Sequence, residues 1–267
     1  MMKNIRLLLA CTLITLLSCK NEQDKKMDIS DPVAEKKSEK GEVKIIPIEH
    51  ATMILSMGEY VIYVDPTGGK KAFMDRQKAT HILITDIHAD HFDMETIKYV
   101  FNDEVKIIVP KAVAVQLPEE INANVIILEE KGMEKTGDLT IEAVPMYNLR
   151  KEALDFHPRD RGNGYVISWK DEKIYISGDT EDIPEMRNLE GITKAFVCMN
   201  MPYTMPVPTA ADAVLDFKPK VVYPYHYRGE NGFSDVRKFA NIIKTNNPDI
   251  QVELLDWYKD EPKKKEK

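Results

Sequence analysis

The chain has 267 residues, with 37 Lys and Arg against 44 Asp and Glu, so its formal net charge at pH 7 is −7. This length is ample for a hydrophobic core, and the acidic balance argues against a surface that neutralises nucleic-acid phosphates. We therefore expect no nucleic-acid partner. Cys11 and Cys19 precede the folded part and leave it only Cys198, which excludes a disulfide framework there.

The N-terminus has the layout of an export signal. Lys3 and Arg6 precede a short apolar run that ends at Ser18 and Cys19. The run is about half the ~20 residues that a transmembrane helix needs. The sequence Leu-Leu-Ser-Cys at 16–19 resembles a bacterial lipobox, which implies removal of residues 1–18 and acylation of Cys19. We expect an exported protein, lipid-anchored to a bacterial membrane on its periplasmic side or at the cell surface. The alternative is a signal cleaved elsewhere, which would leave a soluble secreted protein.

The segments that flank the folded part are highly charged. Residues 19–42 combine the candidate lipidation site with charges of both signs and few large apolar side chains, which predicts a solvated tether. The tail 259–267 has the same character. We therefore expect one domain over residues 43–258.

Short runs rich in β-branched residues alternate with Gly, Pro and Asp across this domain. They predict strands at 43–48, 51–57, 60–66, 79–85, 105–110, 124–128, 139–146, 164–169, 173–177, 194–199, 220–225 and 251–255. Helices are predicted over 94–101 with Asp93 as cap, from a Thr209 cap to before Lys218, and over 235–246 with Ser234 as cap. Packed sheets with helices outside fit this pattern.

Four side chains that can bind metal follow the predicted strand 79–85. They lie within the six residues 86–91, whose sequence is Asp-Ile-His-Ala-Asp-His. Imidazole nitrogen and carboxylate oxygen are ligands for zinc and similar cations, and a turn at a strand end holds them on a rigid support. The sequence therefore predicts a metal site at this turn.

Residues 86–91 resemble the HxHxDH signature of the metallo-β-lactamase superfamily. Three further parts of the chain resemble family segments in the same order. Residues 48–51 and 64–66 resemble the opening strands of the L-ascorbate-6-phosphate lactonase-like branch. Residues 176–180 resemble the superfamily's Gly-Asp-Thr element, and residues 224–227 resemble its last histidine motif. The resemblance implies an α/β fold, an αββα sandwich of two mixed β-sheets flanked by helices, with the metals at one sheet edge.

The resemblance also assigns metal ligands. Asp90, His91 and His226 would hold one ion, and Asp179 would bridge to a second. The first site departs from the family pattern, because Asp86 stands where the signature has its first histidine and only His88 is the expected imidazole. Its third ligand would be Asn148 or His157, two alternatives that the sequence leaves open.

One or two divalent ions are the expected cofactors. Zinc is the first choice, and the oxygen-rich first site makes manganese, iron or magnesium plausible as well. A bound cation lowers the pKa of its water to about 7 and polarises the bond under attack. The chain carries no nucleophile elbow, phosphate loop or dinucleotide turn that would suggest another mechanism.

These features predict a hydrolase that uses a metal-bound hydroxide on a lactone, an ester or a related small substrate, with Asp90 as the catalytic acid or base. A phosphodiesterase with the same metal centre is the enzymatic alternative. A metal-binding module without turnover is the alternative from another class.

Four residues beyond the ligands are candidates for supporting roles. His50 could orient a metal ligand from an early strand. Arg159 and Arg161 flank His157 and could hold an anionic substrate group. Tyr203 lies in a segment similar to a substrate-side loop of the lactonase-like branch.

Overall fold

Two β-sheets pack face to face, and helices cover their outer faces. The computed structural model describes residues 41–259, which form one compact unit. The expected signal peptide, Cys19, the tether up to residue 40 and the tail from residue 260 lie outside the described residues. None of the helices within 41–259 has both the length and the apolar composition that crossing a bilayer requires.

The first sheet contains six strands in sequence order. They are β1 (Val43–Glu49), β2 (Thr52–Met57), β3 (Tyr60–Val64), β4 (His81–Leu83), β5 (Lys106–Val109) and β6 (Val125–Ile127). The first three strands pair antiparallel and the rest parallel. Its helices are α1 (Gly69–Phe73), α2 (Met94–Val100), α3 (Lys111–Ala114) and a 3₁₀ turn at Glu119–Asn124.

The second sheet contains seven strands. They are β7 (Met133–Thr136), β8 (Leu139–Met146), β9 (Gly162–Trp169), β10 (Glu172–Ile176), β11 (Lys194–Cys198), β12 (Val221–Tyr225) and β15 (Gln251–Val252), in the order β15-β12-β11-β10-β9-β8-β7. A small hairpin is formed by β13 (Arg228–Gly229) and β14 (Gly232–Phe233). The helices that accompany the seven-stranded sheet are α4 (Pro184–Arg187), α5 (Val207–Phe217) and α6 (Val236–Asn246).

Successive residues along the strands of the first sheet face opposite sides of that sheet. Leu55 and Ile62 join the core between the sheets, together with Tyr165 of β9. Ile54 and Tyr63 belong to a second core with the helical residues Phe73, Ile97 and Val113. The period of two in strands β2 and β3 thus builds one layer on each side of the sheet, which confirms the predicted αββα sandwich.

The two sheets meet closely at one edge. The Asn163 amide of β9 donates to the Thr85 carbonyl, which follows β4, at 2.9 Å. A Cβ at Gly162 would lie 2.7 Å from that carbonyl and 2.1 Å from Met146 Cε, and one at Gly178 would lie 2.4 Å from Met146 Sδ. Gly178 also has φ of +60°, so both positions require glycine. This close approach brings loops from both sheets together.

All twelve predicted strands are present, with corrected ends. The predicted strands 79–85 and 251–255 shrink to His81–Leu83 and Gln251–Val252, and β7 was not predicted. Helix α2 has its predicted cap, since the Asp93 carboxylate accepts from the Glu95 amide.

Two predicted caps were wrong. Helix α5 starts two residues before Thr209, because Pro206-Val207-Pro208 fixes the backbone for its first turn. Helix α6 is capped by Asp235, whose carboxylate accepts from the Lys238 amide, while the Ser234 hydroxyl donates to the Met199 carbonyl.

Candidate metal centre

The polar residues that the sequence singled out converge where strands of both sheets end. Residues 85–91 follow β4, Asp179 follows β10 and His226 follows β12. His50 lies in the turn between β1 and β2 at the same edge. Parallel strands present their carboxyl-terminal loops together, so residues distant in sequence come within a few ångströms.

One cluster combines His91, Asp179, His226 and Asp90. The Nε2 atoms of His91 and His226 lie 2.9 Å apart. His226 Nε2 is 3.3 Å from Asp179 Oδ1 and 3.4 Å from Asp90 Oδ2, and His91 Nε2 is 3.5 Å from Asp179 Oδ2. We call these four residues the inner cluster.

Hydrogen bonds determine which nitrogen of His91 carries the proton. The Thr85 hydroxyl donates its single hydrogen to Asp65 Oδ2 at 2.7 Å, and His91 Nδ1 lies 2.8 Å from the same oxygen. Because that oxygen only accepts, His91 Nδ1 donates to it. When Nε2 of His91 carries no hydrogen, its lone pair faces the inner cluster. Burial alone would lower the pKa of His91, but the Asp179 and Asp65 carboxylates raise it well above its usual value, so this nitrogen requires a proton or a cation.

His50 orients Asp90 through a similar chain. The Tyr258 hydroxyl accepts from the backbone amides of Tyr227 and Arg228, so its hydrogen goes to His50 Nδ1 at 2.8 Å. His50 Nε2 then donates to Asp90 Oδ2 at 3.2 Å. Burial lowers the pKa of His50 to about 4, which keeps the ring neutral at pH 7.

A second group contains Asp86, His88 and His157, and we call it the outer cluster. Asp86 Oδ2 lies 2.9 Å from His88 Nδ1 and 3.8 Å from His157 Nε2. His157 Nε2 is also 3.2 Å from Asp179 Oδ2. Asp179 therefore lies between the two clusters, at the position of the expected bridging ligand.

Of the two alternatives for the third outer ligand, the structure brings His157 to the carboxylates. Asn148 Nδ2 donates to the carbonyls of Ala153 and Tyr203, at 2.8 and 2.7 Å. Both amide hydrogens are thus used, and His157 Nδ1 donates to the Tyr203 carbonyl at 3.2 Å. The open nitrogen of His157 is Nε2, on the side of Asp179.

The carboxylates of the site are ionised at neutral pH. Burial would raise the pKa of Asp179, but His226 and His91 outweigh it and hold that pKa well below its usual value. Burial acts likewise on Asp90, where hydrogen bonds from His226 and His50 lower the pKa. The inner cluster is therefore a set of two ionised carboxylates and two imidazoles, of which only Asp90 is partly exposed.

The inner cluster fits a divalent cation. Asp179 Oδ1 is one of six buried side-chain atoms within residues 41–259 that have no hydrogen-bond partner, and His157 Nε2 of the outer cluster is another. The lone pair of His91 Nε2 points at His226 Nε2 across 2.9 Å. Unpaired lone pairs directed at one point are costly unless a proton or a cation lies between them, and imidazole with carboxylate is a zinc-type donor set.

The two arginines predicted to bind substrate pair with carboxylates of the protein itself. Arg159 is exposed, pairs with Glu130 and Glu185 at 3.0 and 2.9 Å, and its guanidinium lies over the Tyr147 ring. Arg161 donates to both Asp86 oxygens, at 3.0 and 2.8 Å. Neither side chain lines the cavity at the metal centre, whereas Tyr203 does.

A cavity of about 320 Å³ opens on both clusters. Its lining consists of His88, Asp90, Phe156, His157, Asp179, Asn200 and Tyr203. The Phe156 and Tyr203 rings meet edge to face at 5.1 Å and form its apolar wall. The cavity has the size of a small-molecule site.

Sequence reasoning missed several residues of the site. Asp65 was noted only as part of a family segment, although a lone carboxylate directly after the apolar strand Tyr60–Val64 could have indicated its role. Tyr258 and Phe156 gave no comparable pattern, since their positions depend on chain segments that meet only in the folded protein.

Residues 44–226 match the family described as the β-lactamase superfamily domain. A UPF0173 metal-dependent hydrolase of Roseobacter denitrificans is 26% identical over 224 residues, covering 79% of this chain and 95% of the relative. A protein from Parabacteroides distasonis described as a metal-dependent hydrolase has 34% identity and a TM-score of 0.71, covering 79% of this chain and 92% of its own. The metallo-hydrolase Igni18 of Ignicoccus hospitalis shares the fold, with a TM-score of 0.68, 20% identity and coverage of 80% and 95%. The chain thus belongs to the metallo-β-lactamase superfamily and is a metal-dependent hydrolase.

Proposed function

We propose that this hydrolase acts on a lactone, an ester or a related small acyl compound without a large negative charge. The observation that carries the proposal is the cavity beside the inner cluster, which has an aromatic wall and two carboxylates. No lysine or arginine is among its lining residues in the described part of the chain. A phosphodiester would find no cationic side chain there to bind its charge beyond the metal ion itself.

The inner cluster would hold the catalytic ion through Asp90, His91, Asp179 and His226. Its two imidazoles and two carboxylates favour zinc, with manganese and iron as alternatives. A bound divalent cation supplies hydroxide at neutral pH and polarises the carbonyl under attack. The side chains around the cavity then have to orient the attacking water, bind the acyl group and exclude other water.

Asp90 is the residue placed to orient that water. Its side chain is 43% exposed, whereas those of Asp86 and Asp179 are buried. The hydrogen bond from His50 Nε2 fixes one carboxylate oxygen and leaves the other for a water proton. Asp90 can accept this proton and pass it to the leaving group.

The aromatic wall accounts for substrate binding. Phe156 and Tyr203 come from two different loops, and both are partly exposed to the cavity. Their rings can cover the apolar part of an acyl compound while its carbonyl faces the ion. The resemblance to the lactonase-like branch supports lactones as the first substrates to test.

The test is a substrate panel with one catalytic variant. Purified protein loaded with zinc or manganese is assayed on γ- and δ-lactones, p-nitrophenyl esters and bis-p-nitrophenyl phosphate. We expect acyl hydrolysis, and we expect Asp90→Asn to lower kcat/KM by about 10²-fold or more. Asp75→Asn is the matched control, because Asp75 is exposed and follows helix α1 away from the site. Preferential cleavage of the phosphodiester would establish the alternative activity, and full activity of Asp90→Asn would refute the role of Asp90.

We also propose that the protein is exported and anchored through acylated Cys19. The lipobox resemblance and the charged segment after it support this proposal. An anchored domain would meet substrates outside the cytoplasm, where small lactones and esters reach it by diffusion.

A further inference from the structure

The outer cluster already contains a cation, the guanidinium of Arg161. Arg161 Nε donates to Asp86 Oδ1 at 3.0 Å, and Nη2 donates to Asp86 Oδ2 at 2.8 Å. Nη2 also lies 3.3 Å from His88 Nε2 and donates to the Phe156 carbonyl. The guanidinium therefore contacts two of the three residues expected to ligate the first metal ion.

These contacts occupy the donor atoms that a metal would need. Asp86 Oδ2 can only accept, so the nearby His88 Nδ1, at 2.9 Å, carries a hydrogen. The lone pair of His88 is then on Nε2, which faces Arg161 Nη2. Both oxygens of Asp86 and Nδ1 of His88 thus have hydrogen-bond partners, and the positively charged guanidinium lies against His88 Nε2. By contrast, Asp179 Oδ1 has no hydrogen-bond partner, and neither has His157 Nε2, the outer-cluster atom that lies 3.2 Å from Asp179 Oδ2.

Charge explains why this arrangement is stable. Asp86 is fully buried, and a buried carboxylate requires a positive partner. A bidentate arginine fulfils this requirement with matched geometry. A divalent ion placed between Asp86 and His88 would face the guanidinium at close range and would be repelled by it. Histidine at position 86 would not need this arginine, so the sequence departure and Arg161 belong together.

We propose that the Arg161 guanidinium takes the place of the first metal ion, and that the centre binds a single divalent ion. That ion is held by the inner cluster, with the open Nε2 of His157 beside it. Asp86 and His88 are then positioning residues that hold Arg161 and the loop around Phe156. This inference rests on the metal centre of the proposed function, not on the proposed substrate.

The test counts metal ions. Purified protein is loaded with ZnCl₂ or MnCl₂, dialysed and analysed for metal per chain, and the manganese form is also measured by electron paramagnetic resonance. We expect one equivalent and an uncoupled manganese spectrum. Arg161→Met should raise the content to two equivalents, because Asp86 and His88 then lack their cationic partner. Arg159→Met is the matched control and should keep one equivalent, since Arg159 is exposed and pairs with Glu130 and Glu185 outside the cavity.

A second variant keeps the test decisive if Arg161→Met fails to fold. The His88 side chain is 39% exposed, so His88→Ala should fold, as checked by circular dichroism. We expect it to retain the single equivalent. Two equivalents in the unmodified protein, with one lost in His88→Ala, would overturn the proposal. No bound metal in the unmodified protein would instead refute the proposed metal chemistry itself.

Discussion

At the residue scale, the metal centre depends on side chains that bind no metal themselves. Asp65 fixes the proton of His91 on Nδ1, and Tyr258 fixes the orientation of His50, which in turn holds Asp90. His50, Asp65 and His226 all have positive φ, at 56°, 45° and 45°. Such backbone conformations cost on the order of 1–3 kcal/mol each and persist only where the surroundings enforce them.

Replacement of Asp65 by Asn should weaken metal binding without removing a ligand. The amide is neutral and can present a hydrogen to His91 Nδ1, so the imidazole loses its fixed orientation and part of its basicity. We expect affinity for zinc to fall by about 10- to 100-fold. Competition with a chromophoric chelator measures this change. Asp75→Asn should bind zinc as the unmodified protein does, and unchanged affinity in Asp65→Asn would contradict the assigned role.

Cys198 should be chemically inert in the folded protein. Its thiol is fully buried on β11, and burial raises the pKa to about 12. The reactive thiolate is therefore scarce at pH 8. Iodoacetamide treatment followed by peptide mass spectrometry should leave Cys198 unmodified in native protein and modify it fully in guanidinium chloride. Rapid labelling of the native protein at Cys198 would argue against its burial.

At the scale of elements, apolar strands and the three longest helices were predictable, whereas polar and short elements were not. Strand β8 spans the predicted residues 139–146, because its alternating apolar side chains face the core between the sheets. Strand β7, with the sequence Met-Glu-Lys-Thr, is a half-exposed edge strand without an apolar pattern. It forms by backbone pairing with β8, a tertiary contact that local sequence does not encode.

The candidate site likewise combines local sequence motifs, which were predictable, with contacts between distant residues, which were not. The signature at 86–91, the Gly-Asp-Thr element and the last histidine motif are local patterns, and each was visible in the sequence. Whether Asn148 or His157 reaches the carboxylates depends on how residues 148–161 fold back, which a backbone hydrogen bond from Asn148 to the His157 carbonyl at 2.9 Å fixes. The pairing of Arg161 with Asp86 also joins positions 75 residues apart. Only the folded chain decides such contacts.

Glu181 holds the start of the loop 148–161 in place by hydrogen bonds, and its replacement should destabilise the protein. One carboxylate oxygen accepts from the amides of Leu149 and Arg150, at 2.8 and 2.7 Å, and the other accepts from Arg150 Nε. Glu181→Gln replaces one of the two accepting oxygens by an NH2 group, which cannot accept from the donor or donors on its side. We expect the free energy of unfolding to fall by about 1–3 kcal/mol in urea titrations.

Glu152→Gln is the matched control for Glu181→Gln. Glu152 also contacts Arg150, but its side chain is 71% exposed and the distance is 3.4 Å. Such an exposed pair contributes about 0–1 kcal/mol. Equal effects of the two substitutions would show that the buried contacts of Glu181 carry no special weight.

At the scale of the whole molecule, the expected anchor can be tested independently of the enzyme. Cys19→Ser removes the proposed acylation site without touching residues 41–259. We expect the unmodified protein to incorporate labelled fatty acid and to sediment with membranes, and the variant to do neither. Incorporation of label by Cys19→Ser would place the modification elsewhere, and no incorporation by either protein would favour the secreted, soluble alternative.

Metal binding should also stabilise the whole fold, because the inner cluster joins loops from both sheets. Asp90 and His91 follow β4 of the first sheet, whereas Asp179 and His226 follow strands of the second. An ion shared by these side chains binds the folded protein and not the unfolded chain. At a free ion concentration of 100 times the dissociation constant, binding therefore raises the free energy of unfolding by about 2.7 kcal/mol. Urea unfolding with zinc and with a chelator measures the difference, and we expect the chelated protein to unfold at lower urea. In the double variant His91→Ala/His226→Ala, zinc and chelator should give the same curve. If the unmodified protein also unfolds identically in both, the ion does not connect the two sheets.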